Sequence, residues 1–259
     1  AFYSERHIFN TTEFTVVYDC GSSTLKGKKL EAKITSSFPE NQIINILFIS
    51  HFHADHINGI EYLKKHCKIK RVVLPLLHED SKTILKAINL LENNNIDPLL
   101  IDNPTEYFGD ETTTIFVNQT NTDENSNGVN LEDIADISTL NSTTTIPSGK
   151  LIVSGVKSHD WIFIPFNYKQ VERKNQFISS LATESLTLDD INTIDKITAN
   201  KDKIKRAYNA IDGDLNENSM LLFSGERNNN HVNCFSHTTP FHYFYYFDKI
   251  KSGCIYFGD

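Results

Sequence analysis

The sequence predicts an α/β protein, and three observations carry that prediction. Strand and helix signals alternate through the first hundred residues. The stretch "QIINILFIS" (42–50) reads as a continuous apolar, β-branched run, the pattern of a strand buried on both faces. Amphipathic segments of helical length follow such runs, as with Ile84, Leu85, Ile88 and Leu91 on one face. We read 1–259 as one domain, with a polar surface excursion at 119–148 and a helical insertion at 169–212.

The elements follow in order. "EFTVVYDCGSS" predicts a strand over 14–18, ended by Asp19 and a Gly-Ser turn. After the buried strand, a helix is expected over 57–66, then a strand in "KRVVLPLL". "DSKTILKAINLLENNN" predicts a helix capped by Asp80 or Ser81, with Pro98 beyond its end. "DPLLID" (97–102) reads as a further strand. The segment 119–148 is dominated by Asn, Thr, Ser and Asp and has little to bury. "KLIVSGV" and "DWIFIPFNY" return to strand. In the insertion, Thr187 and Thr198 are candidate N-caps, and Ile204, Ala207, Tyr208 and Ile211 mark a buried helical face. "NSMLLFSG" and "GCIYFGD" close the chain as strands.

Composition narrows the function classes. A net charge of −8 argues against a general electrostatic grip on nucleic acid, although bound divalent metals would supply positive charge locally. Cys20, Cys67, Cys234 and Cys254 show no paired spacing, which suits free thiols in a reducing compartment, and the expectation is cytoplasmic. No run reaches the roughly 18 apolar residues of a membrane span. A start at Ala1 and an end at Asp259, just after "CIYFG", suggest a window of a longer protein.

The chemistry concentrates in "SHFHADH", where His51, His53, Asp55 and His56 fall within six positions. Residues i and i+2 of a helix point apart, so His51 and His53 cannot share a metal from a helix. A loop leaving the carboxyl end of a buried strand can turn both rings inward, with Asp55 and His56 starting the next helix. Imidazole and carboxylate donors suit zinc, manganese or iron. Other signals favour structural uses. The basic runs at 64–71 and 201–206 suit solvated faces, the aromatic stretch 240–249 suits packing, and His231, His237 and His242 lack a shared direction.

The motif His51-x-His53-x-Asp55-His56, followed by Ile57 and Gly59, resembles the signature of the metallo-β-lactamase fold superfamily. Asp19 after "TVVY" and the strand end "IYFGD" extend the likeness. The resemblance implies an αβ/βα four-layer sandwich and a binuclear centre. His51 and His53 would hold one divalent ion, Asp55 and His56 the second, and Asp259 would bridge them. Asp19 would steady a histidine from behind, Asp55 would also orient the nucleophile, and a hydroxide between the ions would attack a phosphoryl or acyl centre. The pairing of "NENSMLLFSG" with the final strand looks most like the branch of DNA-uptake competence proteins, which implies a phosphodiester or nucleic-acid substrate.

Two features depart from the family pattern. The region where a third site-one histidine is usual reads "IDGDLNENSM", with Leu215 and Asn216, and His159 is the candidate to compensate. The family's final histidine would fall beyond Asp259. Two alternatives therefore stand beside the nuclease-like reading. One is hydrolysis of a lactam or thioester. The other is a degenerate, non-catalytic module that binds a protein partner through 169–212.

Overall fold

The computed structural model describes residues 3–9, 12–92, 94, 96–120, 135–155, 161–167, 172–211, 219–226, 234–236, 245–247 and 253–256. The chain opens with an antiparallel pair, β1 (Tyr3–Phe9) and β2 (Thr12–Tyr18), and then α1 (Lys28–Ser37). The apolar run 42–50 forms two short strands, β3 (Ile43–Ile44) and β4 (Ile46–Phe48). Asn45 breaks it: its backbone N–H donates to Thr15 O and its side-chain carbonyl accepts from Thr15 N, both at 2.8 Å. The expected helix over 57–66 is likewise split, into α2 (Ala54–Ile57) and α3 (Ile60–His66), with Asn58 and Gly59 between.

β5 (Lys68–Ile69) and β6 (Arg71–Pro75) lead to α4 (Glu79–Leu91). α4 starts after His78 with no side-chain cap, so neither Asp80 nor Ser81 fills that role. "DPLLID" is not a strand. It forms α5 (Leu99–Asp102), and α6 (Pro104–Phe108) follows directly. The cause is local: Asp97 Oδ1 accepts from Leu99 N at 2.9 Å and Pro98 already holds helical angles. Next come β7 (Thr113–Val117), β8 (Ala135–Asp136) and β9 (Thr144–Ile146). The described part of the polar stretch is thus less of an excursion than its composition suggests, since β9 joins a sheet and Ile137 and Ile146 are buried. Residues 121–134 lie outside the described residues.

β10 (Ile152–Val153) and β11 (Trp161–Phe166) precede the helical segment, α7 (Glu172–Thr183), α8 (Ile194–Ala199) and α9 (Lys201–Asn209). Thr187 caps the 3₁₀ turn Leu188–Ile191 through a reciprocal capping box with Asp190. Thr193, not Thr198, caps α8; Thr198 lies inside the helix and its hydroxyl donates to Ile194 O. β12 (Leu221–Glu226), β13 (Cys234–Ser236), β14 (Tyr245–Phe247) and β15 (Gly253–Tyr256) complete the order, with β13 pairing β14.

Two sheets organise these elements. One runs β1-β2-β4-β6-β7-β9 and is parallel from β2 onward; the other runs β15-β12-β11-β10-β8. Alternation along β4 shows why both of its faces are apolar. Ile46 and Phe48 point into the core between the sheets, with Phe14, Val16, Val73, Phe163 and Leu222. Leu47 and Ile49 point the other way, onto Leu30 and Ile34 of α1 and Ile60 and Leu63 of α3. A third core joins Ile84, Ala87 and Ile88 of α4 to Phe177, Leu181, Ile197, Ile204 and Ala207. The helical segment is therefore seated on α4. This is the mixed α/β sandwich the sequence predicts. No helix among the described residues is long and apolar enough to cross a membrane.

Candidate metal centre

The centre begins where β2 ends. Asp19 adopts a left-handed backbone (φ 58°), a conformation that Asp tolerates better than most residues, and it is fully buried. Its backbone N–H donates to Phe48 O at 2.8 Å, which ties the turn to the carboxyl end of β4. The following turn then clamps α2. Cys20 N donates to His56 O and Gly59 N to Cys20 O, each at 2.8 Å, and Ser22 exchanges hydrogen bonds with the Asn58 side chain. Gly21 must be glycine for space: a Cβ there would lie 2.4 Å from Asp55 O and 2.6 Å from His56 C.

The Asp19 carboxylate is the hub. Oδ1 accepts from Ser50 N at 2.7 Å, and Oδ2 accepts from Ser50 Oγ at 2.7 Å and from His56 Nδ1 at 2.9 Å. His51 Nδ1 lies 2.9 Å from Ser50 Oγ and 3.1 Å from Ser219 Oγ. Ser219 comes from just before β12, and Met220 N donates to Ser50 O at 2.8 Å. The second sheet thus meets the end of β4 at this point. The His51 and His56 rings are 4.1 Å apart, and those of His51 and His53 are 6.2 Å apart.

His53 is held differently. Its Nδ1 lies 2.9 Å from Asp55 Oδ1, and its Nε2 lies 3.2 Å from Glu92 Oε2 at the end of α4. The second contact has ion-pair distance without good hydrogen-bond alignment. The partly buried Glu92 and Asp55 carboxylates raise His53 to a pKa of about 9, with the Glu92 contact the largest cause. Burial, and then the neighbouring His56, holds His51 well below the usual histidine range. Burial acts to raise Asp55, but His56 and the hydrogen bond from His53 outweigh it and keep the carboxyl low. Asp55 Oδ2 also lies 3.5 Å from His56 Nε2.

The structure therefore brings His51, His53, Asp55, His56 and Asp19 together. Asp259 and His159, and the segment 212–218 with Leu215 and Asn216, lie outside the described residues. Glu92, Ser50 and Ser219 join the cluster without having been anticipated. Ser50 adjoins the histidine motif, whereas nothing in the sequence marks Glu92. A pocket of about 70 Å³ opens beside His51, lined by Phe52, Leu77, Gln119, Asn167 and, from α7, Lys174.

Divalent metal ions are the group this cluster implies, and its donors fit them. The Nδ1 atoms of His51 and His56 are engaged from behind, so Nε2 is the nitrogen each ring would offer to an ion. The Nε2 atoms of His51, His53 and His56 are buried. Among the described residues, no three His, Cys, Asp or Glu side chains form a ready-made metal cage, so the described donors supply part of a ligand set.

Comparison with known proteins agrees with this picture at one level. No curated protein and no solved structure gives a significant match. The family match does not reach the competence-protein branch. Residues 8–125, which carry Asp19 and all four residues of the histidine motif, match the model of the metallo-beta-lactamase superfamily.

Proposed function

We propose that this chain is the catalytic domain of a metal-dependent hydrolase with a binuclear centre, acting on a phosphodiester or nucleic acid. The observation that carries the proposal is the Asp19 hub, which engages His56 directly and His51 through Ser50 on their Nδ1 sides, with the two rings 4.1 Å apart and His56 Nε2 3.5 Å from Asp55 Oδ2. His51 and His53 would hold one ion and Asp55 and His56 the other, with zinc the first choice and manganese or iron as alternatives. When bound, such ions supply a nucleophile at neutral pH and stabilise charge on the leaving group.

The chain's own residues do the rest. Asp55 sits between His53 and His56 and is kept ionised, so it can orient a water by accepting a proton from it. Lys174 and Asn167 border the pocket beside His51, where a cation and an amide suit an anionic ester better than a neutral lactam. Because Lys174 belongs to α7, the helical segment reads as a cap beside the site.

A second reading is a retained fold that binds a partner without turnover. The absence of histidine from "IDGDLNENSM" favours it. Metal content and metal-dependent hydrolysis of bis(p-nitrophenyl) phosphate, measured beside Asp55→Ala, separate the two. The expected result is tightly bound metal and a loss of about 10²-fold or more in Asp55→Ala. Fewer than one metal per chain, with no Asp55-dependent turnover, would leave the partner-binding reading. Turnover of lactams or thioesters without phosphodiesters would displace the substrate assignment.

A further inference from the structure

We propose that Ser50 is a positioning residue that carries the orienting effect of Asp19 to His51, so that one buried carboxylate sets the tautomer of two rings. The proposal rests on the metal-centre reading of those rings. Counting protons gives the direction of each bond. An ionised carboxylate only accepts, and Ser50 has a single hydroxyl proton. With Ser50 Oγ 2.7 Å from Asp19 Oδ2, that proton is committed to Asp19. The Ser50 lone pairs then face His51 Nδ1 at 2.9 Å, so Nδ1 must bear the ring proton and Nε2 the lone pair. His56 reaches the same tautomer one step sooner, by donating directly to Asp19.

Burial makes the relay consequential. Asp19 and Ser50 are fully enclosed, and His51 and His56 nearly so, which keeps water from replacing a lost partner. The backbone fixes the hydroxyl in place from both sides, since Ser50 N donates to Asp19 Oδ1 and Ser50 O accepts from Met220 N. Ser219 Oγ, 3.1 Å from the same Nδ1, can also accept from it, so the test includes its removal.

The test compares the full-length wild type with Ser50→Ala, Ser50→Thr, Ser219→Ala and Asp19→Asn. Ring ¹⁵N spectra of the zinc-free proteins report the tautomers, and titration with Zn²⁺ alone reports affinity. Wild type is expected to show Nδ1–H on both rings. Ser50→Ala should shift the His51 tautomer, leave His56 unchanged and weaken Zn²⁺ binding by roughly 10–100-fold. Ser50→Thr, which keeps the hydroxyl, should restore both readouts, and Asp19→Asn should disturb both rings. The relay is overturned if His51 keeps Nδ1–H in Ser50→Ala with wild-type affinity. Equal movement of both rings, or a His51 shift only in Ser219→Ala, would overturn it too. A wild type that binds no Zn²⁺ would sink the metal reading, while the tautomer comparison would still decide the relay.

Discussion

Gly21→Ala is the sharpest perturbation of the centre, because it adds one methyl at the place where two loops touch. The added carbon would sit 2.4 Å from Asp55 O and 2.6 Å from both Asp55 C and His56 C. Ordinary contacts to carbon lie at about 3.5–4.0 Å, so α2 or the turn must retreat by roughly 1 Å. The opposing atoms are backbone, and the Cys20–His56 and Gly59–Cys20 hydrogen bonds hold them in place. We expect a stability loss of about 1–3 kcal/mol in urea unfolding of the metal-free protein. Ligands must hold their places to within about 0.5 Å, so Zn²⁺ affinity should fall at least about tenfold as well. Gly27→Ala is the control: its φ of 54° strains any side chain, but nothing lies within 4 Å. It should lose about 1 kcal/mol or more while keeping wild-type Zn²⁺ affinity. Gly21→Ala with stability within about 0.5 kcal/mol of wild type and intact affinity would refute the claim that this clamp places Asp55 and His56.

The other predictions concern His53 and the helical segment. A histidine raised to about 9 in the fold stabilises fully below its ordinary value near 6.5, and that stability is lost as pH rises through 9. Allowing for the poor alignment and partial exposure of Glu92, metal-free stability should fall by about 2 kcal/mol between pH 6 and 10. Glu92→Gln should remove most of that slope and lower the His53 pKa by roughly a unit in an NMR titration; an unchanged slope would show that Glu92 does not hold the ring. Phe177, fully buried against α4, should cost about 3–5 kcal/mol when cut to Ala. A loss below about 1 kcal/mol would mean that the segment is not coupled to the sheet domain.

What the sequence revealed followed from how local each signal was. The run 46–49 announced a strand buried on both faces because alternate residues had to serve two cores, and the structure divides them as Ile46 and Phe48 against Leu47 and Ile49. The histidine motif was legible because its spacing requires a strand end, and the strand before it was plain. "DPLLID" misled because a short apolar run fits strand and helix equally; the Asp97 hydrogen bond and Pro98 decided it. The polar stretch concealed β9, whose apolar content reduces to Ile146 among threonines. Glu92 was beyond reach for a different reason. It lies 39 residues from His53 along the chain, and only the angle of α4 over the sheet brings them together.

The three rings are not treated alike, and the difference bears on function. His51 and His56 depend on a carboxylate that is fully buried, left-handed in backbone and engaged by three donors. Such a residue is expensive to keep, since desolvation and backbone strain each cost on the order of 1–3 kcal/mol or more. His53 depends on carboxylates that are still partly in water. In the proposed centre one side is therefore preset, while on the other a proton would be exchanged for an ion without tearing a buried network. A surface kept only to bind a partner has no use for a strained anion behind two imidazoles, whereas oriented ligand nitrogens require it. The cost of Asp19 is thus an argument for the proposed metal chemistry over the partner-binding reading, independent of the substrate proposed for it.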